Sequence, residues 1–145
     1  GKNNHIDGWH DGVHCHGLMP NLMQSKIPYR SYYAYTLFSK YIKDGKIFRG
    51  ENSEEKEMCC TAALNNDGSM AIAVINSGLL GRSFVLNFNE ELHNITFYRH
   101  LFVCTENYKD ESATIIPSDK VLKNITNALK DTLPAGSVAV YTTEK

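Results

Sequence analysis

Nowhere does this sequence hold the roughly 20 consecutive apolar residues that a membrane-crossing helix needs, and no charged start leads into an apolar signal core. No membrane partner is expected. Charge of one sign is also missing: 15 Lys and Arg stand against 16 Asp and Glu, for a net −1. Without a basic patch interleaved with aromatics, no nucleic acid is expected either. Cysteine is scarce, at four, and Cys15, Cys59, Cys60 and Cys104 form no paired C-x-x-C framework. Adjacent Cys59 and Cys60 would point to opposite faces of a strand. Free buried thiols are therefore expected, which favours a reducing, cytoplasmic compartment and leaves secretion open. Two Asn-x-Thr sequons, Asn94-Ile95-Thr96 and Asn124-Ile125-Thr126, do not alter this. Their number is about what chance gives for 13 Asn and 19 Ser and Thr.

What is present divides at residues 28–43, Pro28-Tyr29-Arg30-Ser31-Tyr32-Tyr33-Ala34-Tyr35-Thr36-Leu37-Phe38-Ser39-Lys40-Tyr41-Ile42-Lys43. Tyr33, Leu37 and Tyr41 repeat every four residues, with Ala34, Phe38 and Ile42 beside them. Two adjacent rows make one broad apolar face, the signature of a docked helix. Pro28 is tolerated only in the first turn, Lys40 and Lys43 suit the negative end of the helix, and Gly45 supplies the stop. Core packing is the expected role of the tyrosines, with an aromatic ligand platform the alternative.

Before the helix, breakers keep residues 1–27 loop-like. His10-Asp11-Gly12-Val13-His14-Cys15-His16 crowds three imidazoles and a thiol together, but the spacing fits none of the usual closed zinc sites. Surface or interface histidines are the expectation, and neither a metal nor a cofactor is assigned. Gly1 in place of an initiator Met predicts an excised piece of something longer.

After the helix, the acidic stretch 51–57 reads as a solvated connector, with strands beginning beyond it. Met58–Leu64 and Met70–Asn76 flank Asn65-Asn66-Asp67-Gly68, a hairpin signal. Phe84, Leu86 and Phe88 alternate along a third strand, and residues 94–104 form a long fourth, with Ile95, Phe97, Leu101 and Val103 on one side and Tyr98, His100 and Phe102 on the other. Residues 113–116 are a short edge candidate and Pro117-Ser118-Asp119 a turn. Residues 121–133 also fit a helical period at Leu122, Ile125 and Leu129, but extended chain is favoured. Ser137–Thr142 closes the sequence in β-branched and small residues. The sum is a mainly β chain: an antiparallel β-sandwich of about seven to eight strands with one N-terminal helix at its edge or face.

Two motifs suggest a family. Tyr32-Tyr33-Ala34-Tyr35-Thr36-Leu37-Phe38-Ser39-Lys40-Tyr41 resembles the last helix of the catalytic barrel in retaining glycoside hydrolases of the β-xylosidase and α-L-arabinofuranosidase type. Leu133-Pro134-Ala135-Gly136-Ser137-Val138-Ala139-Val140-Tyr141 resembles the finish of the β-sandwich that follows that barrel. The resemblance implies that residues 1–45 are the end of a (β/α)8 barrel and residues 46–145 a C-terminal sandwich. Such enzymes cleave with two carboxylic residues about 5–5.5 Å apart at barrel strand ends. No residue here matches those motifs, so no catalytic residue is assigned, Asp7 and Asp11 included. The implied function is a non-catalytic domain whose partner is the catalytic barrel of the parent chain. Residues 9–17 would lie beside the sugar-binding mouth, making Trp9, His14 and His16 candidate carbohydrate contacts, with packing the alternative for Trp9. An autonomous carbohydrate-binding module using Tyr98, Phe102 and Tyr108 is the rival function, and a structural interaction domain the third.

Overall fold

A computed structural model describes residues 30–49, 57–105 and 116–145. The chain opens with helix α1 (Arg30–Tyr41), followed by strands β1 (Lys46–Arg49), β2 (Met58–Leu64), β3 (Met70–Asn76), β4 (Arg82–Asn87), β5 (Ile95–Val103), β6 (Ser118–Ile125), β7 (Ala128–Leu133) and β8 (Ser137–Thr142). Six strands form one antiparallel sheet in the order β1-β2-β3-β8-β5-β6, and β4 pairs with β7 in a separate ribbon. The helix lies on one face of the large sheet and the ribbon on the other.

Strand alternation gives the central strands two cores to serve. On the helix side Ala71, Ala73, Val140 and Phe102 surround Leu37 and Tyr41, with Ala34, Phe38 and Ile42 packed at the margin. Leu37 and Tyr41 of one row and Ala34, Phe38 and Ile42 of the other therefore meet the sheet. Small Ala71 and Ala73 beneath the helix leave room for its large side chains to descend between the strands. On the ribbon side Ile72, Val74, Phe97, Ala139 and Tyr141 meet Leu129 and Leu133, flanked by Phe84 and Leu86. Leu37, Phe97, Leu129 and Leu133 are fully buried. Each such side chain contributes about 1.5–3 kcal/mol relative to exposure.

The hairpin at Asp67-Gly68 forms as its residues require. Gly68 takes φ 88°, and both the amide and the hydroxyl of Ser69 donate to Asp67 Oδ1, at 2.9 and 2.6 Å. Residues 121–133 are extended, as favoured. Leu129 and Leu133 enter the core on alternate positions of β7, and Leu122 pairs with Phe97, so the period of two prevails over the apparent helical spacing.

Three expectations need correction. A strand, β1, precedes the acidic connector where none was read; four residues are too few for alternation to show. Pro117-Ser118-Asp119 is no turn, because β6 begins at Ser118, directly after the proline, a position where the missing amide disturbs no ladder. The thiols are not uniformly buried: Cys59 and Cys104 are exposed and Cys60 half-buried, with Cys60 packed toward the ribbon-side core and adjacent Cys59 facing away from it. The edge candidate at 113–116 lies outside the described residues except for Ile116.

Candidate functional site

The densest polar chemistry among the described residues lies where the ribbon meets β5, β6 and β8. Asp131 occupies an inward position on β7, between buried Leu129 and Leu133, so its carboxylate points toward the large sheet and is almost wholly shielded. Three donors converge on it. Arg99 Nη1 on β5 donates at 3.0 Å, Lys120 Nζ on β6 at 2.6 Å and the Tyr141 hydroxyl on β8 at 2.6 Å. Arg99 completes its fork on Asp119, through Nε at 3.0 Å and Nη2 at 2.6 Å. The register makes this possible: Arg99 is opposite Lys120 on one side and Tyr141 on the other, so the three donors stand in a row across the sheet.

Burial works against the Asp131 anion, yet Lys120, Tyr141 and Arg99 outweigh it and hold the carboxyl below its ordinary range. The Tyr141 hydroxyl is pushed well above its usual value, first by burial and then by the Asp131 charge. The Arg99 guanidinium, bonded to Asp119, stays charged. A general acid needs a carboxyl raised toward neutrality, and Asp131 is displaced the other way. With both oxygens occupied it acts as a tie between ribbon and sheet. Outside it lies an open depression of about 600 Å³, lined also by Ser83, Lys130 and Thr132.

A second polar joint fixes the helix. Asn65, 4% exposed at the start of the hairpin loop, donates Nδ2 to the Tyr41 carbonyl at 2.9 Å and accepts the Lys43 amide on Oδ1 at 3.1 Å. The last turn of α1 is thus capped from 24 residues away. Lys43 Nζ bridges Asp67 at 3.2 Å and Glu144 at 2.9 Å, and buried His100 meets the Tyr41 ring at 4.8 Å while its Nδ1 lies 2.6 Å from the Ile116 carbonyl oxygen.

Trp9, His14 and His16 lie outside the described residues, as do Asp7, Asp11 and Tyr108. Phe102, read as a module contact, is only 7% exposed and sits in the core beneath the helix. It is unavailable to stack on a sugar, and Tyr98 on the same side is half-buried. No group of three or more His, Cys, Asp or Glu among the described residues could hold a metal ion. No helix among them is long and apolar enough to cross a membrane. The Asp131 tie escaped the sequence reading, although a carboxylate between two leucines of an alternating strand was its visible mark.

No family model matches the chain, and no curated protein matches it. Solved structures do share its fold. The chain superimposes on a glycoside hydrolase family 30 subfamily 8 xylanase from Clostridium acetobutylicum with TM-score 0.66 at 21% identity, covering 88% of this chain and 30% of that one. A family 30 endoxylanase from Clostridium papyrosolvens gives TM-score 0.67 at 17% identity, covering 96% of this chain and 36% of that one. An arabinose-bound family 51 α-L-arabinofuranosidase gives 0.55 at 19%, covering 80% and 19%. The helix-and-sheet arrangement is therefore one found within glycoside hydrolases. The chain spans about a third of the length of the two xylanases.

Proposed function

We propose that the chain is the C-terminal part of a glycoside hydrolase, a non-catalytic sandwich that braces the catalytic barrel and helps shape its substrate cleft. Residues 1–45 close the barrel and residues 46–145 form the sandwich. The observation that carries this reading is the family 30 match, in which nearly the whole of this chain is accounted for by about a third of a xylanase. Asp131, held as an anion by its three donors, ties the ribbon to the large sheet, a rigid joint that suits a bracing role. Two of the similar structures act on xylan by name, so a xylan-type polysaccharide is the substrate proposed for the parent enzyme. The burial of Phe102 removes one aromatic from the rival carbohydrate-binding reading.

The test is the open reading frame upstream of Gly1. A barrel-sized segment of alternating strands and helices carrying two Glu at strand ends is expected, with xylanase activity in the full-length product and none in this chain alone. An upstream frame without such a segment, or hydrolysis by this chain alone, overturns the proposal.

A further inference from the structure

The two sequons, unremarkable in number, are not independent in space. Ile95 of β5 is paired with Ile125 of β6, so Asn94-Ile95-Thr96 and Asn124-Ile125-Thr126 run antiparallel with their central residues opposed. Paired Cα atoms in such a ladder are about 5 Å apart. Both isoleucines pack toward the ribbon-side core, whereas Asn94 and Asn124 are exposed. Both asparagines hold a left-handed backbone, at φ 51° and φ 59°. No other non-glycine residue among those described has a positive φ. Asn94 therefore stands just before β5 and Asn124 at the next-to-last position of β6, each exposed and with a threonine two residues on. The left-handed conformation explains an asparagine at each place, since Asn tolerates it better than most residues. It does not explain why the next-but-one residue is Thr in both segments and why the two fall in register.

From this we infer that the β5–β6 end is a double N-glycan acceptor, taking two oligosaccharides side by side. Transfer would join Nδ2 of each asparagine to C1 of the first sugar of a polyprenyl-diphosphate-linked oligosaccharide. The C1–O bond breaks, the polyprenyl diphosphate departs with the bonding pair, and the amide releases one proton to a base of the transferase. Nothing is oxidised or reduced. The place also suits what a glycan does physically. β6 is the edge strand of the large sheet, six of its eight residues are exposed, and Val121 is 47% exposed. A bulky solvated group at its end obstructs pairing with another chain. The inference opposes the cytoplasmic compartment expected from unpaired cysteines, and the experiment tests the acceptor competence of the two asparagines directly.

The chain is expressed behind a secretion signal in a eukaryotic host, and its mass is read before and after treatment with a glycan-releasing amidase. Loss of two glycans is expected from the parent sequence, one from Asn94→Gly or Asn124→Gly, and none from the pair. Glycine keeps the left-handed backbone, so these variants fold. Thr96→Val and Thr126→Val, which leave both asparagines in place, should each lose the glycan of their own sequon. Cell-free translation with endoplasmic-reticulum microsomes reads the same shifts without selection for export. A chain glycosylated at neither or only one asparagine overturns the inference. So does a glycosylated chain that melts below its amidase-treated form, which would put the acceptors against the fold.

Discussion

Replacing Asp131 by alanine removes an acceptor that three donors share, and the structure allows the consequence to be sized. Tyr141 is fully buried, so its hydroxyl has no water to turn to. Losing a hydrogen bond to a charged acceptor costs about 1.5–3 kcal/mol. Lys120 is nearly half exposed and swings into solvent, a change worth roughly 0–1 kcal/mol. Arg99 keeps Asp119 but loses its inner partner. The total is about 3 kcal/mol, at the low end of the ~3–5 kcal/mol seen when one member of a buried ion pair is removed. For a chain of this size that is a fall of roughly 6–12 °C in Tm. Urea unfolding of D131A, Y141F and the double variant measures it, with the m-value confirming a common unfolding reaction. Because the two side chains share a bond, the double variant should lose at least about 1 kcal/mol less than the two single losses combined. A loss below about 1 kcal/mol for D131A, or simple additivity with Y141F, refutes the view of Asp131 as the tie between ribbon and sheet. Asp131→Asn, which keeps an acceptor for Tyr141, should lose about half as much.

Asn65→Ala strips the cap from the last turn of α1 and leaves the Tyr41 carbonyl buried without its donor. A loss of about 2–3 kcal/mol is expected, with hydrogen exchange rising first at the C-terminal end of the helix. Gly45→Ala fails for a different reason: φ there is 133° and an added Cβ would collide with the Leu64 carbonyl oxygen. The loss should exceed the ~1 kcal/mol usual for a permissive glycine, and thermal melting reads it. Stability should also fall on acidification. Ser69 and Lys43 hold the Asp67 carboxyl down at about 2, and Asp131 is likewise depressed. Groups of this kind stabilise the fold above their unfolded pKa of about 4, and their contribution is lost as pH falls through that value toward the folded one. Asp67→Asn should flatten the slope between about pH 4 and 2 in acid-unfolding curves. Alkylation followed by peptide mass mapping should label Cys59 and Cys104 before Cys60, whose thiol is pushed up by burial and by its neighbour Cys59.

Much of the fold was readable because local pattern and tertiary environment agree. The helical repeats at Leu37 and Tyr41 and at Ala34, Phe38 and Ile42, the Asp67-Gly68 turn and the alternation in β4 and β5 each follow from one physical rule. Residues 121–133 were the hardest case: Leu122, Ile125 and Leu129 satisfy a helix, while Leu129 and Leu133 flanking Asp131 satisfy a strand. Only the partner strands decide it. β1 was missed because Ile47 and Phe48 remain exposed on opposite faces and leave no half-buried pattern. Phe102 looked like a surface aromatic until the helix was laid over it. The Asp131 tie could not be assembled from sequence, since its members come from three strands of one sheet and one strand of another, and only the cross-strand register brings them together.

The two central strands, β3 and β8, face a core on each side, whereas β5 and β6 accommodate two register shifts between them. A single-residue insertion within β3 would send Ile72 and Val74 toward the helix and the alanines toward the ribbon, spoiling both interiors in one step. Evolutionary drift in length should therefore accumulate at the β6 margin of the sheet and be almost absent from its middle.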